Sequence, residues 1–133
     1  MRPQPREAIL KYALDFTAAL VLSLGLCASA GAQDTSAGRK IFQSQCSICH
    51  SAQSGRNITG PSLFGVVGRH SGTIPDFHYS SANQQSGLSW DVLTLDRYLT
   101  APQIVVPGTL MTFPGLKDGT KRRDLIAYLA TLQ

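Results

Sequence analysis

Cysteine is scarce in this 133-residue chain: Cys27, Cys46 and Cys49 are all there is. A secreted disulfide scaffold needs a denser set, so that class is excluded. Charge is scarce as well. Charged residues make up 15% of the chain and the net charge is +4, short of the balance of a nucleic-acid-binding domain. Methionine occurs only at Met1 and Met111, and histidine only at His50, His70 and His78. There is no internal repeat and no low-complexity tract. No apolar run reaches the roughly 20 residues that span a bilayer. The length suits one domain.

The longest apolar run, Phe16 to Ala30, is interrupted by Thr17, Ser23 and Ser29 and follows a basic start with Arg2, Arg6 and Lys11. It ends in Ala28-Ser29-Ala30-Gly31-Ala32. A charged n-region, an apolar h-region and an A-x-A site are the pattern of a signal peptide. We expect residues 1–32 to be removed, with cleavage after Ala32, or else after Ala30. A retained anchor is the alternative, and the run is short for it. Cys27 follows Leu26 where a lipid-attachment site wants a small residue, so it is expected to leave with the signal. The remaining domain, 33–133, carries a net charge of +3, because Arg2, Arg6 and Lys11 are lost together with Glu7 and Asp15.

Within that domain Asp34-Thr35-Ser36 can cap a helix running through Ile41 and Phe42 toward Cys46. From Ser51 to Gly87 the chain is rich in Gly, Ser, Asn and Pro, which predicts an ordered loop with one short helix near Ser81 to Gln85. Ser89 is expected to cap a further helix with Val92, Leu95 and Leu99 on one face, stopped by Pro102. Val105 to Gly115 reads as a second loop. A last helix is expected from Asp118 or Gly119, with Leu125, Tyr128, Leu129 and Leu132 at helical spacing. Lys121-Arg122-Arg123 near its start opposes the macrodipole and reads as a solvated face. So few helices and such long loops supply little core. Wrapping a cofactor would explain the loops.

Cys46-Ser47-Ile48-Cys49-His50 is a Cys-x-x-Cys-His motif, the attachment signature of c-type haem. Two thiols three residues apart on a helical turn can each reach one vinyl group of the same porphyrin, and the next histidine then lies beneath the iron. Zinc is one alternative, but it needs about four ligands and the motif supplies three. A dithiol redox pair is the other; it wants a βαβ context, which the flanks lack. For the sixth ligand, Met111 is the one thioether left after the signal is removed, held between Pro107 and Pro114. His70 and His78 are its competitors. A methionine there raises the reduction potential and closes the iron to oxygen and peroxide.

With these residues in view the sequence resembles the class I cytochromes c, of the mitochondrial type and its soluble bacterial relatives. The likeness runs from Gly38 to Leu132. It is carried by Gly38-Arg39-Lys40-Ile41-Phe42, the haem motif, Gly60-Pro61-Ser62-Leu63-Phe64-Gly65-Val66-Val67-Gly68-Arg69 and Pro75-Asp76-Phe77-His78-Tyr79-Ser80-Ser81-Ala82-Asn83. Trp90, Tyr98, Pro107-Gly108-Thr109-Leu110-Met111-Thr112-Phe113 and Asp124-Leu125-Ile126-Ala127-Tyr128-Leu129 complete it.

The resemblance implies an all-α cytochrome c-like fold, with three to five helices around one haem c attached through Cys46 and Cys49. Gly38 would let the first helix approach the last, with Phe42 near Leu125 and Tyr128. Pro61 would accept a hydrogen bond from the His50 ring. Arg69, Tyr79 and Trp90 would hold the propionates, since buried carboxylates need donors or positive charge. Asn83, Tyr98 and Thr109 would form a polar network near Met111, and Phe113 would shield the haem edge.

There are departures from the pattern. The loop from His50 to Pro61 is one residue shorter than in the mitochondrial proteins. Gln45, Gln103, Ile104 and Leu110 stand where that family has lysines, and Lys40 alone survives of that ring. Steering of an acidic partner should be weak, and Ile104, Val105, Val106 and Leu110 could offer an apolar docking face instead.

The expected function is a periplasmic single-electron carrier, not an enzyme, monomeric and without a membrane anchor. Its partners would be redox proteins docking transiently at the haem edge: a membrane respiratory complex, a terminal oxidase or a periplasmic dehydrogenase. A dedicated electron-accepting subunit of one periplasmic dehydrogenase is the alternative. A third possibility is an enzyme or ligand sensor in which Met111 leaves the iron.

Overall fold

A computed structural model describes residues 32–133. The n-region, the apolar run and Cys27, all assigned to the signal peptide, lie outside the described residues. Gln33–Gln133 forms one compact unit. Five helices are described: α1 (Thr35–Ile41), α2 (Ser81–Gln85), α3 (Val92–Thr100), α4 (Pro102–Val105) and α5 (Gly119–Ala130). No strand forms among the described residues; the nearest thing is an isolated bridge between His70 and Ser89.

α1 starts where the sequence predicts. The Asp34 carboxylate accepts from Ser36 N at 2.8 Å and Ala37 N at 3.0 Å, satisfying amides that the first turn leaves unpaired. α1 runs into a π-helical turn over Phe42–Cys46, which periodicity did not anticipate. The crossing with α5 depends on Gly38. A Cβ there would sit 2.6 Å from the Asp124 carbonyl carbon and 2.8 Å from Tyr128 Cβ, so any side chain forces the two helices apart. The Phe42 and Tyr128 rings close the crossing, 5.5 Å apart at 53°, and Asp34 N donates to Asp124 Oδ1 at 3.0 Å.

The long loop holds α2 at the expected place, capped by Ser80 Oγ on Asn83 N at 3.1 Å. α3 corrects two expectations. Its cap is Asp91, accepting from Thr94 N at 2.8 Å; Ser89 Oγ meets His70 Nδ1 at 3.0 Å instead. The buried residues are Thr94, Leu95, Tyr98 and Leu99, while Val92 and Leu93 are 49% and 77% exposed. Side chains lean toward a helix's N-terminus, so Val92, in the first turn, points past the packed region. Pro102 ends α3 but also opens α4 at its first position, where its missing N–H costs nothing. Four residues are too few to show a period, so α4 was not legible in the sequence.

α5 is capped by Asp118, which accepts from Thr120 N and Lys121 N. The helix ends at Ala130, so Leu132 lies beyond it. The basic run is not simply a solvated face. Arg122 is 12% exposed and pairs with Asp96 of α3, Nε to Oδ1 at 2.8 Å. Its Nη1 also donates to the carbonyls of Leu116 and Lys117 at 2.9 and 3.0 Å. That partner offsets the opposed helix dipole. Lys121 and Arg123 are exposed, as expected.

The buried apolar set is Phe42, Val66, Trp90, Leu95, Tyr98, Leu99, Val106, Leu116, Leu125, Ile126 and Leu129. Seven of these eleven, Val66, Trp90, Leu95, Tyr98, Leu99, Leu125 and Leu129, also line a single cavity. The core is therefore built around a space rather than through it.

Candidate cofactor site

The cavity holds about 450 Å³, within the roughly 300–1,000 Å³ of small-molecule sites. One wall is the motif. Cys49 N and His50 N both donate to Cys46 O, at 3.0 and 2.9 Å, winding the motif into a turn on the end of the π-helical segment. Cys46, Cys49 and His50 all line the cavity as a result. His50 Nδ1 lies 2.8 Å from the Pro61 carbonyl. A carbonyl only accepts, so Nδ1 carries the proton and Nε2 keeps its lone pair. Burial lowers the imidazole pKa from 6.5; the Pro61 bond raises it and the Arg69 charge lowers it. The net result is a neutral ring, the form that ligates metals. Gly60 lies against that ring: a Cβ there would sit 2.6 Å from Nδ1 and 2.9 Å from Nε2.

Thiol chemistry separates the readings of the motif. Both cysteines are free of a disulfide. Burial, then the neighbouring Cys49, pushes the Cys46 thiol up to about 11. A redox dithiol works as a thiolate with lowered pKa, which this environment does not favour. Among the described residues no three His, Cys, Asp or Glu side chains are grouped to hold a metal ion, which leaves zinc without its set of ligands.

Met111 lines the same cavity. Tyr98 OH lies 3.5 Å from Met111 Sδ and 3.3 Å from Thr109 Oγ1. Thr109 Oγ1 donates to Asn83 Oδ1 at 2.9 Å and accepts from Met111 N at 3.3 Å. Ser80 Oγ reaches the same Asn83 oxygen at 2.8 Å. His78 stands on the cavity rim, exposed, whereas His70 is outside the lining and engaged with Ser89. Phe113 is half-buried and also lines the space.

The remaining side is polar. Arg69 gives Nη1 to Phe64 O and Nη2 to Ser62 O, each at 3.0 Å, and burial lowers its pKa. Its Nε is buried with no hydrogen-bond partner. An orphaned buried donor costs about 1–3 kcal/mol, so this nitrogen calls for an acceptor from an occupant. Tyr79 and Trp90 stand in the same lining. Burial raises the Tyr79 pKa, opposed by Ile74 and Arg69, and keeps its hydroxyl a donor. The Trp90 ring packs 4.7 Å from that of Tyr98.

A flat apolar ring with two carboxylate arms and a central metal fits this donor set: two thiols, a neutral imidazole, a thioether, and an unpaired cation beside a phenol and an indole. The cytochrome c family model matches residues 35–133. The chain belongs to the cytochrome c family. As a class I cytochrome c it resembles cytochrome c2 of Rhodopila globiformis, at 50% identity over 105 residues, 79% of this chain and 99% of the relative. It is also similar to cytochrome c of Euglena viridis, 46% identical over 100 residues, 75% and 98% of the two chains. The solved structure of cytochrome cH from Methylobacterium extorquens superposes with a TM-score of 0.69 at 43% identity, covering 74% and 98%. This cytochrome is an electron carrier rather than an enzyme, and its cofactor is haem c, one per chain, attached through Cys46 and Cys49.

Sequence reasoning missed Gly60 and Ser80 in the lining and Gln103 as the donor to the Thr109 and Met111 carbonyls. Ser80 left a signal, since it precedes the expected short helix as a cap. Gly60 and Gln103 left none that spacing could reveal.

Proposed function

We propose that this cytochrome is a periplasmic single-electron carrier whose haem iron would be held by His50 and Met111. One observation carries the reading: Cys46, Cys49, His50 and Met111, the one methionine among the described residues, all line a single cavity. Haem, when bound, supplies a one-electron iron couple. Pro61 fixes the His50 tautomer and leaves Nε2 for the metal. Arg69, through its unpaired Nε, with Tyr79 and Trp90 would hold the propionates. Asn83, Tyr98 and Thr109 hold the thioether in one orientation, which would limit the rearrangement that accompanies a change of redox state. Phe113 covers the edge.

Residues 1–32 are read as the export signal and 33–133 as the working domain. No described helix is long and apolar enough to cross a membrane. Partners would be redox proteins docking transiently at the haem edge, where Ile48 and Leu110 of the cavity lining are 83% and 75% exposed. That uncharged rim also favours the second reading, a dedicated subunit of one periplasmic dehydrogenase. Size-exclusion of native periplasm separates the two: free monomer supports the carrier, and exclusive co-elution with a dehydrogenase supports the subunit. For the carrier, stopped-flow mixing with reduced membrane complexes should give rapid exchange that varies little with salt. No exchange at useful rates would remove it. Sequencing the N-terminus of the exported protein should begin at Gln33.

A further inference from the structure

The segment that carries Met111, residues 107–115, has no regular structure, and Leu110 within it points into solvent. Met111 and Phe113 within it pack partly against the core, and hydrogen bonds fix the backbone around Met111. Met111 is held at three points. Its N–H reaches Thr109 Oγ1 at 3.3 Å and its sulfur meets Tyr98 OH at 3.5 Å; the first is long for a hydrogen bond. The third is shorter: Gln103 Nε2 donates to Met111 O at 2.8 Å, and the same nitrogen donates to Thr109 O at 3.2 Å. A primary amide nitrogen has two hydrogens, one for each carbonyl.

Gln103 is well placed to hold rather than merely to touch. It follows the buried Pro102 at the start of α4, and the turn is closed by Val106 N on Pro102 O at 2.9 Å, with Val106 itself buried. The base of the side chain is thus fixed to the body, while the side chain lies on the surface. No core packing requires a glutamine there, so its role can be separated from folding.

We propose that Gln103 is a positioning residue, a clasp on the Thr109 and Met111 carbonyls that sets how rarely the thioether leaves the iron. This rests on the reading of Met111 as the sixth ligand. A small ligand added from solution binds only the opened form, so its apparent affinity scales with the opened fraction. Gln103→Glu keeps the size but replaces both donor hydrogens with an acceptor facing two acceptors. Gln103→Ala removes the clasp, and Gln103→Lys restores a donor.

The test titrates imidazole into the oxidised holoprotein, following the visible spectrum, the near-infrared methionine-to-iron band and the thermal midpoint. Loss of two surface-side hydrogen bonds should raise imidazole affinity about tenfold in Gln103→Glu and Gln103→Ala. Gln103→Lys should return toward wild type, and the band should persist in all three without imidazole. Unchanged affinity in both the Glu and Ala variants, in a protein whose band is lost on Met111→Ala, overturns the clasp and leaves the ligand assignment standing. A band that survives Met111→Ala overturns both together.

Discussion

The two walls of the cavity are built in opposite ways. The wall with Cys46, Cys49 and His50 comes from five consecutive residues wound into one turn, with Pro61 and Gly60 laid against the imidazole. The wall with Met111 is gathered from α2, α3 and two loops, and it is held by side-chain hydrogen bonds among Ser80, Asn83, Tyr98 and Thr109, with Gln103 of α4 donating to the backbone behind it. The first is short-range and close-packed. The second is long-range and polar, and such networks hold only while every member is satisfied. The motif wall should therefore fail as steric damage, and the methionine wall as loosened ligation.

The largest effect should come from the motif wall. Gly60→Ala drives a methyl into the His50 ring and should cost about 3 kcal/mol, on the order of 15 °C in Tm by calorimetry. A midpoint within a few degrees of wild type would show that the wall is softer than its packing indicates. On the other wall Tyr98→Phe removes a hydroxyl from Met111 Sδ and Thr109 Oγ1. It should cost about 1 kcal/mol in denaturant melts and shift the reduction potential. A shifted potential with no change of fold is the signature expected of this wall and not of the other.

Acid offers a smaller perturbation, acting on the helix caps. The Asp91 carboxyl lies below its usual 3.8, chiefly because it accepts from Thr94 N. Asp118 is lowered in the same way by Lys121 N. Folded values below the unfolded one stabilise above pH 3.8 and lose that contribution as pH falls through the folded values. Asp91→Ala should therefore be less stable than wild type at pH 7, with the difference vanishing well below pH 3.8 in urea titrations. The least effect on stability should come from Ile104→Ala and Leu110→Ala. Both side chains are exposed, so stability should move by about 0.5 kcal/mol or less, while electron exchange with a partner slows.

The contrast between the walls is also why one was easier to read than the other. Cys46 to His50 spells its chemistry in contiguous spacing, and Asp34, Ser80 and Asp118 announce helix starts by side-chain type. Met111 was reached by elimination among rare residues, and Asn83, Tyr98, Thr109, Arg69 and Trp90 through family resemblance. Gln103 was noticed only as a missing lysine. Its contacts with residues 109 and 111 depend on how α4 folds back, which no local pattern encodes. Arg122 was misjudged for a like reason: its partner Asp96 lies on another helix, so a charge run that looked solvated is half tertiary. Asp91 displaced Ser89 as the cap of α3 because both are competent cap residues, and packing chose between them.

The proposed closing of the iron by His50 and Met111 is tested most directly by a spectroelectrochemical titration of wild type and Met111→Ala, followed through the near-infrared band. We expect a single one-electron step with the band present in the oxidised wild type, and in the variant a lower potential, no band and new affinity for added ligands. An unchanged potential and an unchanged band in Met111→Ala would contradict it.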